Sequence, residues 1–145
     1  MRPVDFLILA DELLRSRPIP AGHRTSISRA YYAAHHHIKA FLEGVGVAVK
    51  TGPEAHSDVW SHLAHIDDVD LERVGSDLCD LRGDRNKADY ALDDPKPERA
   101  NNAKLVVEQV QGLILEIDSC EKDPPRYGKV KAAILARHRL LRGTK

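Results

Sequence analysis

Proline and glycine punctuate this chain at intervals that suit helices rather than strands. Pro18 and Pro20, the run Glu43-Gly44-Val45-Gly46, then Thr51-Gly52-Pro53, Asp93-Asp94-Pro95-Lys96-Pro97 and Asp123-Pro124-Pro125 separate stretches that each read at helical period. Those stretches cover about 4–16, 23–43, 54–66, 70–92, 98–120 and 128–142. The residue before a proline is pushed out of the helical region, so each proline-bearing loop also marks a boundary. Only Val45-Gly-Val-Ala-Val49 has strand character, and it is short. Ala and Leu together number 32 against 22 for Val, Ile and Thr, a bias toward helix formers.

The stretches are amphipathic. The first gathers Phe6, Leu9, Leu13 and Leu14 on one face, and the second places Ile27, Ala30, Tyr31, Ala34, Ile38, Phe41 and Leu42 on one stripe. The fifth does the same with Ala103, Val106, Val110, Leu113 and Ile117. Helices of this length joined by short loops favour antiparallel neighbours. The expected fold is therefore all-α: an up-and-down bundle of about five helices over residues 1–122, extended by a basic C-terminal helix over 123–145. A chain of 145 residues has enough apolar surface to fold on one core without disulfides or a structural metal.

Charge is distributed unevenly. Residues 1–123 carry 15 basic and 22 acidic groups, whereas residues 124–145 carry seven basic groups and no acidic one. The neutral total thus hides an acidic body and a basic tail, and a basic segment is a candidate for contact with nucleic acid or an acidic partner. With Val130, Ile134 and Leu141 on one side, the tail is expected to dock on the body with Arg126, Lys129, Lys131, Arg137, Arg139, Arg142 and Lys145 outward, or else to meet RNA phosphate.

Other classes drop out. No window approaches 18 consecutive apolar residues and no signal-peptide pattern opens the chain, so a cytoplasmic protein without membrane contact is expected. Cys79 and Cys120 read as reduced core thiols. Seven aromatic residues are too few for stacking on many unpaired bases. No P-loop, GxGxxG, GxSxG or HExxH pattern occurs, and no cofactor is implied. His35, His36 and His37 diverge by 100° steps on a helix and cannot chelate one ion together. Asp58, His62 and His65 have ligand-like spacing without a second pair to complete a set, so no metal site is expected.

The informative residues break the pattern of their own helix. On the fourth stretch the apolar stripe runs Leu71, Val74, Leu78, Leu81, and then Arg85, Ala88 and Leu92. Arg82 and Asp89 lie one turn to either side of Arg85. A buried guanidinium must be paired or must face a wet crevice. Two readings stay open: an Arg85–Asp89 ion pair that orders the helix, or a phosphate-facing arginine held in place by Asp89. On the second stretch Arg29, Tyr32 and His36, with Lys39 nearby, form a face opposite the core stripe, either solvated or an RNA-facing or dimer surface. His56 opens the third stretch beside Trp60, as a helix-initiating polar residue or as a proton donor or acceptor near a basic patch.

Two motifs in order carry a family resemblance. Ser28-Arg-Ala-Tyr-Tyr-Ala-Ala-His35 and Leu81-Arg-Gly-Asp-Arg85-Asn-Lys-Ala-Asp-Tyr90, with His56-Ser-Asp-Val-Trp60 between them, resemble the HEPN (higher eukaryote and prokaryote nucleotide-binding) domains. The prokaryotic stand-alone subfamily, with an SRAYYA helix and an R-x-x-A-D-Y helix, is the nearest in pattern, and the resemblance covers about residues 5–120. It implies a compact antiparallel bundle, commonly a homodimer, and often a metal-independent endoribonuclease acting as the toxin of a toxin–antitoxin or defence module beside a small nucleotidyltransferase. In such a site an R-x4–6-H arginine steadies the phosphate while the histidine moves a proton as the 2′-OH attacks. Here no histidine follows Arg82 or Arg85 at that spacing, since Asp89 and Tyr90 stand there. Arg29 and His35 have the spacing, but on the second helix, and are given no weight on that account. The resemblance thus assigns Arg85, His56 and Tyr90 as an altered catalytic set, Arg82, Arg85, Arg29 and Tyr32 as phosphate or nucleic-acid contacts, and Asp89 as a structural partner. The rival expectation is a non-catalytic module serving as partner or substrate-holding subunit of a nucleotidyltransferase.

Overall fold

The computed structural model describes residues 1–143, with the helices, in order, α1 (Pro3–Ser16), α2 (Pro20–Val45), α3 (Glu54–Ser61), α4 (Val69–Tyr90), α5 (Ala100–Glu121) and α6 (Pro124–Leu141), and one 3-10 turn at Lys96–Glu98. The all-α bundle expected from the sequence is what forms. Among the described residues there is no strand, and no helix is long and apolar enough to cross a membrane.

The core follows the apolar stripes. α2 runs through the centre, burying Ile27, Tyr31, Ala34, Ile38 and Leu42 against α1, α4 and α5. Leu71, Val74, Leu78 and Leu81 of α4 and Val106, Val110, Leu113 and Ile117 of α5 complete the same cluster. Two glycines permit close approach. A Cβ on Gly22 would collide with the Arg17 carbonyl oxygen, so the tight α1–α2 corner admits no side chain there. A Cβ on Gly75 would lie 2.8 Å from the Leu63 Cβ, which is how the chain leaving α3 presses onto α4.

Several boundaries move for local reasons. α2 begins at Pro20, three residues earlier than the apolar pattern suggests, because proline is accepted in a first turn where its missing N–H costs nothing. Val45–Val49 forms no strand. Val45 ends α2, Gly46 takes φ 110°, and the Val47 N–H returns to the Leu42 carbonyl at 3.0 Å in a glycine-ended cap. α3 stops at Ser61 and leaves by turns through His65, whose φ of 59° is left-handed. α6 starts at Pro124, its Asp123 cap accepting from the Arg126 N–H at 3.3 Å.

One residue that the sequence pattern passes over ends α4. Arg24, buried on α2, donates through Nη1 to the carbonyls of Lys87, Ala88 and Ala91 at 3.1, 3.0 and 3.1 Å. Its Nη2 reaches the Asp94 carbonyl at 2.6 Å, and Nε and Nη2 hold Glu98 Oε1 at 3.1 and 3.0 Å. One guanidinium thereby gathers carbonyls of the helix C-terminus, among them that of Ala88, and suits the negative end of the helix dipole.

The basic tail docks as expected through Val130 and Ile134, both buried, with Leu141 half-buried. Its charges are not all outward, which corrects the sequence expectation. Arg126 grips Asp68, the N-cap of α4, at 2.9 and 3.1 Å and Glu116 at 2.7 Å. Arg142 forks onto Asp58 at 2.7 and 2.8 Å, and Arg137 Nε donates to the Ser61 carbonyl at 3.2 Å. The acidic body attracts part of the tail's charge to itself. Lys129 and Lys131 stay exposed, and Lys145 lies outside the described residues.

Candidate functional site

Where α2, α3 and α4 meet, the pattern-breaking residues converge. Helical spacing stacks Tyr31 over His35 and Tyr32 over His36 on α2, at ring-centroid distances of 5.9 and 6.0 Å. α3 supplies His56, 4.7 Å from the His35 ring and 5.8 Å from the Tyr31 ring. The Tyr31 hydroxyl and His56 Nδ1 are 2.7 Å apart, a hydrogen bond that ties α3 to α2. From α1, Phe6 lies over Tyr32 and His36 at 6.3 and 5.8 Å, so the second face of α2 is half-covered rather than openly solvated.

Guanidinium groups sit on these rings. Arg85 Cζ is 5.5 Å from the Tyr31 centroid and 5.4 Å from that of Tyr32, and Arg29 Cζ is 5.0 Å from Tyr32 and 5.4 Å from Phe6. Aromatic faces attract cations, more strongly where water is excluded. Arg85 is only 7% exposed, as its place in the apolar stripe requires. Its pair with Asp89 exists but is loose, Nη1 to Oδ2 at 3.6 Å, and the same carboxylate oxygen accepts from Ser28 Oγ at 3.1 Å.

The site is rich in donors and poor in acceptors. Among the described residues Arg82 Nε, Arg85 Nε and His35 Nδ1 are buried without a hydrogen-bond partner, and His35 is 4% exposed. Leaving such groups unpaired costs the desolvation of each, so three together are unusual. The imidazoles are kept neutral. Burial, then the neighbouring His56, His36, Lys39 and Arg82, lower His35 to about 3. Burial, then Arg82 and Arg85, hold His56 below the usual histidine value, and His36 is lowered by burial and Lys39. Burial pushes the Tyr31 hydroxyl up to about 12 despite the two arginines. Positive charge near neutral pH therefore belongs to the guanidinium groups and the Lys39 ammonium, not to the imidazoles. A shallow recess of about 300 Å³, lined in part by Phe6, His36 and Lys39, adjoins this cluster.

Of the residues expected from the sequence, Arg29, Tyr32, His56, Arg82 and Arg85 come together and Asp89 pairs with Arg85. Tyr90 does not join them: it is the last residue of α4, 75% exposed, and no hydrogen bond, ion pair or ring contact involves it among the described residues. Tyr31 and His35 belong to the site although the apolar stripe assigns them to the core or its flank. The sequence signal for them was their i, i+4 spacing, with one polar ring stacked on the next.

The Asp58, His62 and His65 spacing leads elsewhere. Asp58 is occupied by Arg142 and by the Lys50 N–H at 2.9 Å. His62 Nδ1 donates to the Asp58 carbonyl at 2.6 Å, His62 Nε2 faces His138 Nδ1 at 2.9 Å, and His65 is exposed. Among the described residues no group of three His, Cys, Asp or Glu side chains is placed to hold a metal ion. Comparison of the chain with protein-family models, curated proteins and solved structures finds no match.

Proposed function

We propose that this chain is a HEPN-like helical bundle that engages RNA or a nucleotide through its phosphate, at the cluster of Arg82, Arg85, His56, Arg29 and Tyr32. The observation that carries this reading is the pair of buried guanidinium nitrogens, Arg82 Nε and Arg85 Nε, unpartnered among the described residues beneath a half-exposed rim of Tyr32, His36 and His56. An oxyanion supplies the acceptors that the protein withholds, and the guanidinium fork matches its geometry. The loose 3.6 Å pair with Asp89 leaves Arg85 free to turn toward such a ligand. In the catalytic form of this proposal a cytoplasmic homodimer cuts RNA without a metal, as the toxin of a two-gene module, with the arginines stabilising the phosphorane charge.

A second reading rests on the residues one turn beyond Arg85 on its helix. Asp89 turns back to Arg85 and Ser28, and Tyr90 points away from the cluster, so no imidazole accompanies Arg85 on α4. That favours a non-catalytic module that holds RNA or nucleotide for a nucleotidyltransferase partner. The purified chain, incubated with structured RNA in EDTA, separates the two. Cleavage that disappears in Arg85→Ala supports the catalytic form, and binding without cleavage supports the second. Cleavage that persists undiminished in Arg85→Ala contradicts the site.

A further inference from the structure

We infer that Tyr31 is a positioning residue that fixes His56 as a neutral imidazole carrying its proton on Nε2, so that His56 meets an anion as a hydrogen-bond donor and not as a general base. The anion-facing half of this inference rests on the phosphate-binding reading above; the tautomer half stands on the protein alone.

Hydrogen-bond accounting carries it. Tyr31 is fully buried, and the one hydrogen bond of its hydroxyl among the described residues is the 2.7 Å contact to His56 Nδ1. The charged groups that face the pair from α4 are Arg82 and Arg85, which are donors only. Were His56 to donate from Nδ1 to the Tyr31 oxygen, the phenolic hydrogen would be buried without an acceptor. With the hydroxyl donating instead, its proton is satisfied and its oxygen lone pairs face the guanidinium groups. His56 Nδ1 is then the acceptor, and a neutral imidazole must place its own hydrogen on Nε2.

Protonating His56 would break this bond and set a further cation beside Arg82 and Arg85. The remaining titratable neighbours, Cys79 from α4 and His35 and His36 with Tyr31 and Tyr32 from α2, bring no carboxylate to offset it. Burial of the Tyr31 phenol, which keeps its proton to high pH, preserves the donor throughout the physiological range. Nε2–H therefore adds one neutral donor to the arginines, without a lone pair available to take a proton from a 2′-OH.

Imidazole ¹⁵N spectra of the full chain read the tautomer directly. The expected result at about pH 8 is an unprotonated Nδ1 and a protonated Nε2 on His56, with protonation on acidification setting in below the ordinary histidine value of about 6.5. In Tyr31→Phe both tautomers should appear and the His56 titration should move up toward the ordinary value of about 6.5. Affinity for a short RNA oligonucleotide should fall roughly three- to tenfold in that variant, the worth of one oriented hydrogen bond. Wild-type His56 protonated on Nδ1 overturns the inference, and that spectrum decides the matter even if Tyr31→Phe fails to fold. RNA that binds neither protein overturns the anion-facing half together with the functional reading, while the spectrum still judges the tautomer.

Discussion

Two buried arginines in this protein have opposite chemistry. Arg24 is saturated: its donors end α4 by holding the carbonyls of Lys87, Ala88, Ala91 and Asp94 and the carboxylate of Glu98. Arg85, equally buried, leaves Nε unpaired and relies on the faces of Tyr31 and Tyr32 and a distant Asp89. A saturated guanidinium supports the fold, whereas an unsaturated one costs stability, as the proposed ligand site requires. Thermal unfolding of two matched variants should show the contrast. Arg24→Met takes the partner from the Ala88 and Asp94 carbonyls and the cation from Glu98, and should cost about 3 kcal/mol, whereas Arg85→Met should be neutral or stabilising by up to about 2 kcal/mol. Equal destabilisation by both would mean that Arg85 is as structural as Arg24.

Among the elements, α6 depends most on charge. It is held by apolar contact at Val130 and Ile134 and by two aspartates at its ends. Hydrogen bonds from Arg126 lower the Asp68 carboxyl below its usual range. Burial alone would raise Asp58, but hydrogen bonds from Arg142 and the Lys50 amide outweigh it and the net direction is down. A carboxylate depressed in the folded state contributes stability above its unfolded pKa of about 3.9 and loses it as the pH falls through the lower folded value. Melting temperature should therefore drop as acid is taken below about pH 4, and Asp58→Asn with Asp68→Asn should start lower at pH 7 but show a flatter acid limb. An acid limb as steep in the double variant as in wild type would remove these two carboxylates from the account. The sequence made α6 legible as a docked amphipathic helix, because Val130 and Ile134 repeat at i, i+4. It did not reveal the inward turn of Arg126 onto Asp68 and of Arg142 onto Asp58, since those two acids lie 58 and 84 residues away. Periodicity reports which face is apolar, not which distant charge will stand opposite it.

For the whole molecule, the helices and their core were readable from breakers and stripes, and so were most site residues. Arg85 was conspicuous because a cation stood in an apolar stripe, and the cluster around it formed as three helices brought their exceptions together. Tyr31 was hidden, because an aromatic ring at a core position gives no sign of what its hydroxyl will touch; Tyr90 was conspicuous in the motif yet projects away from the cluster. The neutral net charge now divides into an acidic body, a tail partly neutralised by that body, and a local positive site that no composition would disclose. Under the proposed function two surfaces compete for RNA phosphate: the Arg82–Arg85 cluster and the exposed Lys129 and Lys131 of α6.

Equilibrium binding of a fluorescent single-stranded RNA across a salt series, for wild type, Arg82→Gln/Arg85→Gln and Lys129→Gln/Lys131→Gln, tests the phosphate site most directly. Each phosphate contact on single-stranded nucleic acid contributes about −0.7 to the slope of log K against log salt. The cluster variant is predicted to bind at least about tenfold more weakly with its slope reduced by about 1.4, and the tail variant to stay close to wild type. Full affinity in the cluster variant, with the loss appearing in the tail variant instead, would contradict the account.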